Sequence, residues 1–163
     1  MSTSRPADPH NPKPNVTYMG MCMYGIGAGI LGVAAMTASQ KIEQYFTGRP
    51  TSLVPGRALE SLLRLTPRTA DDGDMFALNL VMNCTEGAVA GVARAAMSVN
   101  GMRGPVAEFL FVGVRVVVDG ALEVWSGVGE WPWYWSANEQ VLELLHKTVY
   151  AVSTGYLVDS WLH

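Results

Sequence analysis

The sequence predicts an all-α protein: a four-helix transmembrane bundle with a short interfacial helix between its first and second spans. Three observations carry this expectation. Charged residues make up only 15% of the chain, against roughly 25% in ordinary soluble domains. Four segments of helix length are dominated by apolar residues. The polar and ionisable residues inside them recur mostly at spacings of three and four, so each set occupies one face of its helix. Mean hydropathy is only +0.17; long polar connections dilute it, and the local runs are the better guide. At 163 residues there is room for one domain of about four or five helices.

Residues 1–17, MSTSRPADPHNPKPNVT, are rich in Pro, Ser and Asn and lack apolar periodicity. They read as a disordered tail. They do not read as a signal peptide, because the apolar run that follows is too long, too late and without a clean cleavage site. Asn15-Val16-Thr17 spells a glycosylation sequon directly against that run. Tyr18 to Ala38 is 21 residues without a charge, which matches the roughly 20 needed to cross a hydrocarbon core. Its glycines would each cost about 1 kcal/mol of helix stability in water, whereas in a bilayer they let a neighbouring backbone come close. Gly25 and Gly29 form a small-xxx-small pair, a face fit for a second copy of the chain.

Ser39 to Phe46 extends the first helix outward until Thr47-Gly48-Arg49-Pro50 stops it. Pro55 then opens a short helix to Leu65, with Leu59, Leu62 and Leu63 on one side and Arg57, Glu60 and Arg64 on the other. Such a piece lies in the membrane interface or caps the bundle. Thr66 to Asp74 reads as a loop. The remaining spans are Met75 to Ala93, Pro105 to Trp125 and Val141 to Leu162. Each carries ionisable groups. One central charge costs about 2.5–3.5 kcal/mol on the insertion scale while each Leu, Ile, Val or Phe returns about 0.3–0.6, so these three insert best as partners. Asn100 to Pro105 is a tight turn whose Pro begins the next helix. Trp125, Trp131, Trp133, Tyr134 and Trp135 cluster as an interfacial aromatic belt.

The net charge of −3 and the absence of basic–aromatic interleaving exclude nucleic acid as a partner. Cys22 and Cys84 sit in apolar runs, form no CxxC, and read as buried thiols. Glu143-Leu144-Leu145-His146 spells the Glu-x-x-His of di-iron bundles, but those need two such motifs and two further Glu residues. With one copy, no metal and no cofactor are expected.

Candidate chemistry lies on the polar stripes. Asn79, Asn83 and Glu86 share one face of the second span; Glu108, Arg115, Asp119 and Glu123 line the third; Glu139, Glu143, His146 and Tyr150 line the fourth. Phe109 to Val118 is apolar nearly all round its helix, as a lipid-facing helix is, so the stripes turn inward. There they form structural pairs, Arg115–Asp119 and Glu143–Lys147, or a pocket. As a pocket, His146 is the natural acid or base near neutral pH, Glu143 or Asp119 orients it, and Tyr150 donates a hydrogen bond. Asn79, Asn83, Glu86, Arg115 and Glu123 then hold a ligand.

Two stretches carry a resemblance. Ser39–Leu65 contains TGRPTSLVPGRAL, and Gly101–Asp159 contains GVGEWPWYW and LHKTVYAVSTG. In these the chain resembles a family of small, uncharacterised multi-pass membrane proteins of bacteria, with fungal relatives. The resemblance implies a multi-pass helical fold and brings no activity with it. Within it Asp119 and Glu123 match, while Gly120 and Val124 stand where the family tends to carry polar residues. The expected function is that of a multi-pass membrane protein, in contact with lipid, that binds a lipophilic small molecule and acts on it by acid–base chemistry. The alternatives are an accessory scaffold working through the Gly-rich first helix, and a small proton-coupled carrier.

Overall fold

A computed structural model describes residues 16–65 and 73–163; most of the expected tail and of the loop after residue 65 lies outside them. The described residues are all helix and connections, without a strand. The helices are α1 (Tyr18–Thr47), α2 (Val54–Leu62), α3 (Gly73–Val99), α4 (Pro105–Trp125) and α5 (Ala137–Leu162), with a 3-10 turn at Pro132–Tyr134. Two of them, α1 and α3, are long and apolar enough to cross a membrane.

Each boundary has a local cause. Thr17 caps α1, its hydroxyl oxygen accepting from the Gly20 amide at 3.1 Å. The helix then runs 30 residues without a break, about 45 Å, through the extension expected at Ser39–Phe46. Gly48 ends it in the left-handed conformation, φ 69°, its amide donating to the Gln44 carbonyl. Pro55 sits in the first turn of α2. Pro105 starts α4 as the sequence predicts, and Ser136 with Glu139 forms a capping box on α5. That box takes Glu139 out of the polar stripe to which its spacing assigned it. Its carboxylate is bound by the Ser136 amide and hydroxyl at 2.9 and 2.7 Å, which lowers its pKa below the usual carboxylate range.

The bundle runs up, down, up, down. Gly25 of α1 lies against Gly91 and Val92 of α3, and Gly29 against Gly87, so α1 and α3 are antiparallel. Gly27 meets Trp161 and Gly32 meets Tyr150 and Thr154, so α5 is antiparallel to α1 as well. Glu108 lies on Gly155 and Asp119 on Lys147, which sets α4 antiparallel to α5. The short α2 closes one end: Gly56 packs on Met75 and Asn79 of α3, and the Ser61 hydroxyl donates to the Ser126 carbonyl at 2.6 Å.

Gly25 and Gly29 are therefore occupied within the chain. The face expected to receive a second copy receives α3, through a matching Gly87-x-x-x-Gly91 pair. A Cβ on Gly25 would stand 2.7 Å from the Val92 Cα, and one on Gly29 or Gly91 would fall inside the opposing carbonyl oxygen. The Tyr150 hydroxyl donates to the Gly87 carbonyl across this seam at 2.7 Å, fully buried, a bond worth about 1 kcal/mol.

Polarity is inverted relative to a soluble bundle. Phe109 and Val106 are 79% and 72% exposed, while Arg94, Arg115, Asp119, His146 and Lys147 are all buried. On α4 Arg115 and Asp119 point in alongside Phe111 and Val112, while Val106, Phe109, Leu110, Val114, Val117 and Val118 are exposed.

Replacing Gly29 or Gly91 by Val should lower stability by about 1–3 kcal/mol or more, because backbone and not a flexible side chain must give way. Gly113→Val, where a Cβ meets nothing, should stay within about 0.5 kcal/mol. Thermal unfolding of the three variants in detergent measures this; equal midpoints would remove the seam from the account.

Candidate functional site

Near the α2 end, a cavity of about 120 Å³ reaches from the surface into the bundle. Its outer wall is Lys41 of α1 with Phe76 and Leu80 of α3, all exposed; its floor is the Asp119–Lys147 pair. Counted as liquid water at ~30 Å³ each, it has room for about four molecules. It therefore fits a small polar group and not an entire lipophilic molecule.

The floor is an ionic network. Lys147 of α5 donates to Asp119 of α4, and its Nζ is 2.9 Å from the Glu143 carboxylate one turn earlier. Arg115 Nε lies 3.1 Å from the same Asp119 Oδ2, and Arg115 Nη2 lies 3.6 Å from Glu86 of α3. The Arg115 guanidinium also sits 4.8 Å over the Tyr150 ring, a cation–π arrangement. Both expected pairs, Arg115–Asp119 and Glu143–Lys147, are formed. Glu123 completes the lining, so Glu86, Asp119, Glu123 and Glu143 share the cavity with Lys41, Arg49, Arg115 and Lys147. Asp119 Oδ1 is buried without a hydrogen-bond partner.

Not every residue expected at the site is there. Asn83 and Glu86 line the cavity. Asn79 touches its wall, yet its amide is committed to the fold: Oδ1 accepts from the Gly56 amide at 2.6 Å and Nδ2 donates to the Ser52 carbonyl at 2.7 Å. It fastens α2 to α3. Tyr150 lies one turn below, with its hydroxyl on Gly87.

His146 is displaced from the role its spacing suggested. It does not line the cavity. Its Nδ1 is 3.0 Å from the Ser39 hydroxyl and its Nε2 3.7 Å from Glu43, both on α1. Positions 146 and 147 are about 100° apart on a helix; that step sends His146 to α1 and Lys147 to α4. Glu143 and His146 thus face different partners, and the Glu-x-x-His spelling does not converge on one point.

Glu43 belongs to a locked turn. Arg49 binds its carboxylate through Nε and Nη2, the latter at 2.8 Å, and Thr47 donates to it at 2.7 Å. These bonds, that of Arg49 first, hold the Glu43 pKa down at about 2.

A second ionic cluster lies at the opposite end, where the sequence reading placed none. Arg94 is fully buried and donates to Glu108 at 2.6 Å and to Asp159 at 2.9 Å, while Ser98 donates to Asp159 at 2.6 Å. Glu108 therefore leaves the third stripe's other members and joins α5 at Gly155. Ending the second span at Ala93 made Arg94 a loop charge; the helix continues to Val99 and carries it inside. The signal available was Ser98, one turn after Arg94 on the same face.

Lys147→Met should leave the buried Asp119 with Arg115 alone beside it and cost about 3 kcal/mol. The double variant Lys147→Met with Asp119→Asn should recover part of that loss, since the amide keeps an oxygen for Arg115. Chemical unfolding in detergent gives the cycle; a single variant as stable as the parent would mean the pair carries no charge.

Comparison of the chain with protein-family models, with curated proteins and with solved structures finds no match.

Proposed function

We propose that the protein is a multi-pass membrane protein in which α4 and α5 span the bilayer together with α1 and α3. In this reading the cavity takes the polar end of a lipophilic small molecule and works on it by acid–base chemistry. The observation that carries the proposal is the buried Asp119–Lys147 pair at the floor of a cavity whose outer wall is partly apolar. A polar head would reach the ions while its apolar remainder lay along Phe76 and Leu80 toward lipid.

Several features support the membrane part. The exposed surface of α4 is Val, Leu and Phe, which water disfavours and hydrocarbon accepts. The charges of α4 and α5 answer one another, as charges within a bilayer must. Trp125, Trp133 and Tyr134 are exposed around the α2 end, at the level of an aromatic belt. The sequence likeness to multi-pass membrane proteins points the same way.

The chemical part rests on ionisable groups gathered around one small cavity. Asp119 is the base by position, since one oxygen is unpartnered. Lys147 is the cation that would stabilise negative charge developing on the substrate. Isomerisation or cyclisation of a lipophilic intermediate is a reaction class that needs no more than this. The scaffold alternative draws nothing from Gly25 and Gly29, which are covered.

Two experiments test the reading. After alkaline carbonate extraction the protein should remain in the membrane pellet; release to the supernatant overturns the spanning bundle. Lipid extracts from cells lacking the protein should contain a lipophilic species that wild type and His146→Gln remove and that Asp119→Asn leaves in place, all at equal membrane abundance. If Asp119→Asn also removes it, the acid–base assignment fails.

A further inference from the structure

A second, larger feature lies outside the polar cavity. Between α4 and α5 an open groove of about 830 Å³ runs over the face of the bundle. On α5 it extends from Leu144 to Ser160, about 24 Å of helix. Its walls are apolar along most of that length, with Phe109, Val112, Val152 and Tyr156. At one end it reaches Glu108 and Asp159, whose side chains keep 17% and 26% of their surface open.

One guanidinium, Arg94, serves two carboxylates, and with Ser98 it supplies the hydrogen bonds they receive. Glu108 Oε2 is buried without a hydrogen-bond partner among the described residues, and the groove reaches the cluster chiefly through the open part of Asp159. Gly155 is what admits the carboxylate so deeply, since any Cβ there would collide with it. The cluster stands in the first turn of α4 and the last turn of α5. In a spanning bundle this is the depth of lipid headgroups. Arg103, which immediately precedes the groove residues Gly104 and Pro105, supplies basic charge at the same end.

We propose that this groove is a binding site for a phospholipid with a primary ammonium headgroup. Its acyl chain lies along the apolar walls and its ammonium sits against Asp159 and Glu108. A primary ammonium offers three N–H donors to a cluster short of donors. A quaternary ammonium brings the same charge with none, and a glycerol headgroup leaves the lipid anionic. The proposal shares only the membrane reading with the function above, and carbonate extraction tests that part separately.

The experiment is native mass spectrometry of the full chain, released from vesicles holding equal amounts of phosphatidylethanolamine, phosphatidylcholine and phosphatidylglycerol with identical acyl chains. The parent should retain the ethanolamine lipid over the other two by about tenfold, the size of one charge-assisted hydrogen bond. Asp159→Asn should bring the three lipids to parity. Val152→Trp, which fills the apolar part without touching the ions, should lower retention of all of them. Asp119→Asn, in the other cavity, should keep the preference. Equal retention by the parent overturns the proposal, as does a preference that survives both groove variants. A lipid-free dimer would assign the groove to a second copy of the chain and overturn it too. Should Asp159→Asn fail to fold, the parent's selectivity and the Val152→Trp result still decide.

Discussion

The bundle is laid out from a single contact, the seam where Gly25 and Gly29 of α1 meet Gly87 and Gly91 of α3. Backbone touches backbone there, and this fixes how close the first two long helices stand. Their separation sets where Tyr150 can enter, since its hydroxyl must reach the Gly87 carbonyl and its ring must clear Gly32. Tyr150 in turn is the platform beneath the Arg115 guanidinium. Arg115 holds Asp119, and Asp119 holds Lys147. The ionic site thus rests, link by link, on glycines that carry no chemistry. Van der Waals contact at this range needs small residues on both helices.

The ionic residues fall into two layers. Lys147 and Asp159 are twelve positions apart on α5, about 18 Å, and the residues between include Tyr150, Ala151, Thr154 and Val158, all buried. One layer is entered through a small polar cavity, the other from an apolar groove. Their separation suits separate tasks: the first confines a polar group among protonatable side chains, and the second presents charge at the head of a greasy channel.

Much of the fold was legible in the sequence because helix punctuation is local. Thr47-Gly48-Arg49-Pro50 ends α1 as its Gly and Pro dictate, Pro105 opens α4, and the Leu-rich piece after Pro55 is α2. Helix count followed from apolar run length. What eluded the sequence was which neighbour each face meets. Gly25 and Gly29 announced a close contact without saying that Gly87 and Gly91, at the same spacing, were its other half. The stripe Glu139, Glu143, His146, Tyr150 was real as periodicity and yet divided in space: Glu139 caps its own helix, His146 turns to Ser39, and Lys147 takes the position facing Asp119. Arg94 was lost to a boundary drawn six residues early, because apolar content falls where the helix does not end.

The Lys147–Asp119 pair also bears on how the chain is made. Synthesis delivers helices from the N-terminus onward, so α4 emerges carrying Asp119 and Arg115 while the lysine is still 28 residues away. Until α5 follows, α4 has its own i,i+4 pair, with Glu86 and Arg94 on α3, to offset its charge. The first half of the molecule can close on its glycines as soon as α3 exists; the second half cannot settle one helix at a time. The final position of α4 therefore depends on α5 in a way that the α1–α3 seam does not.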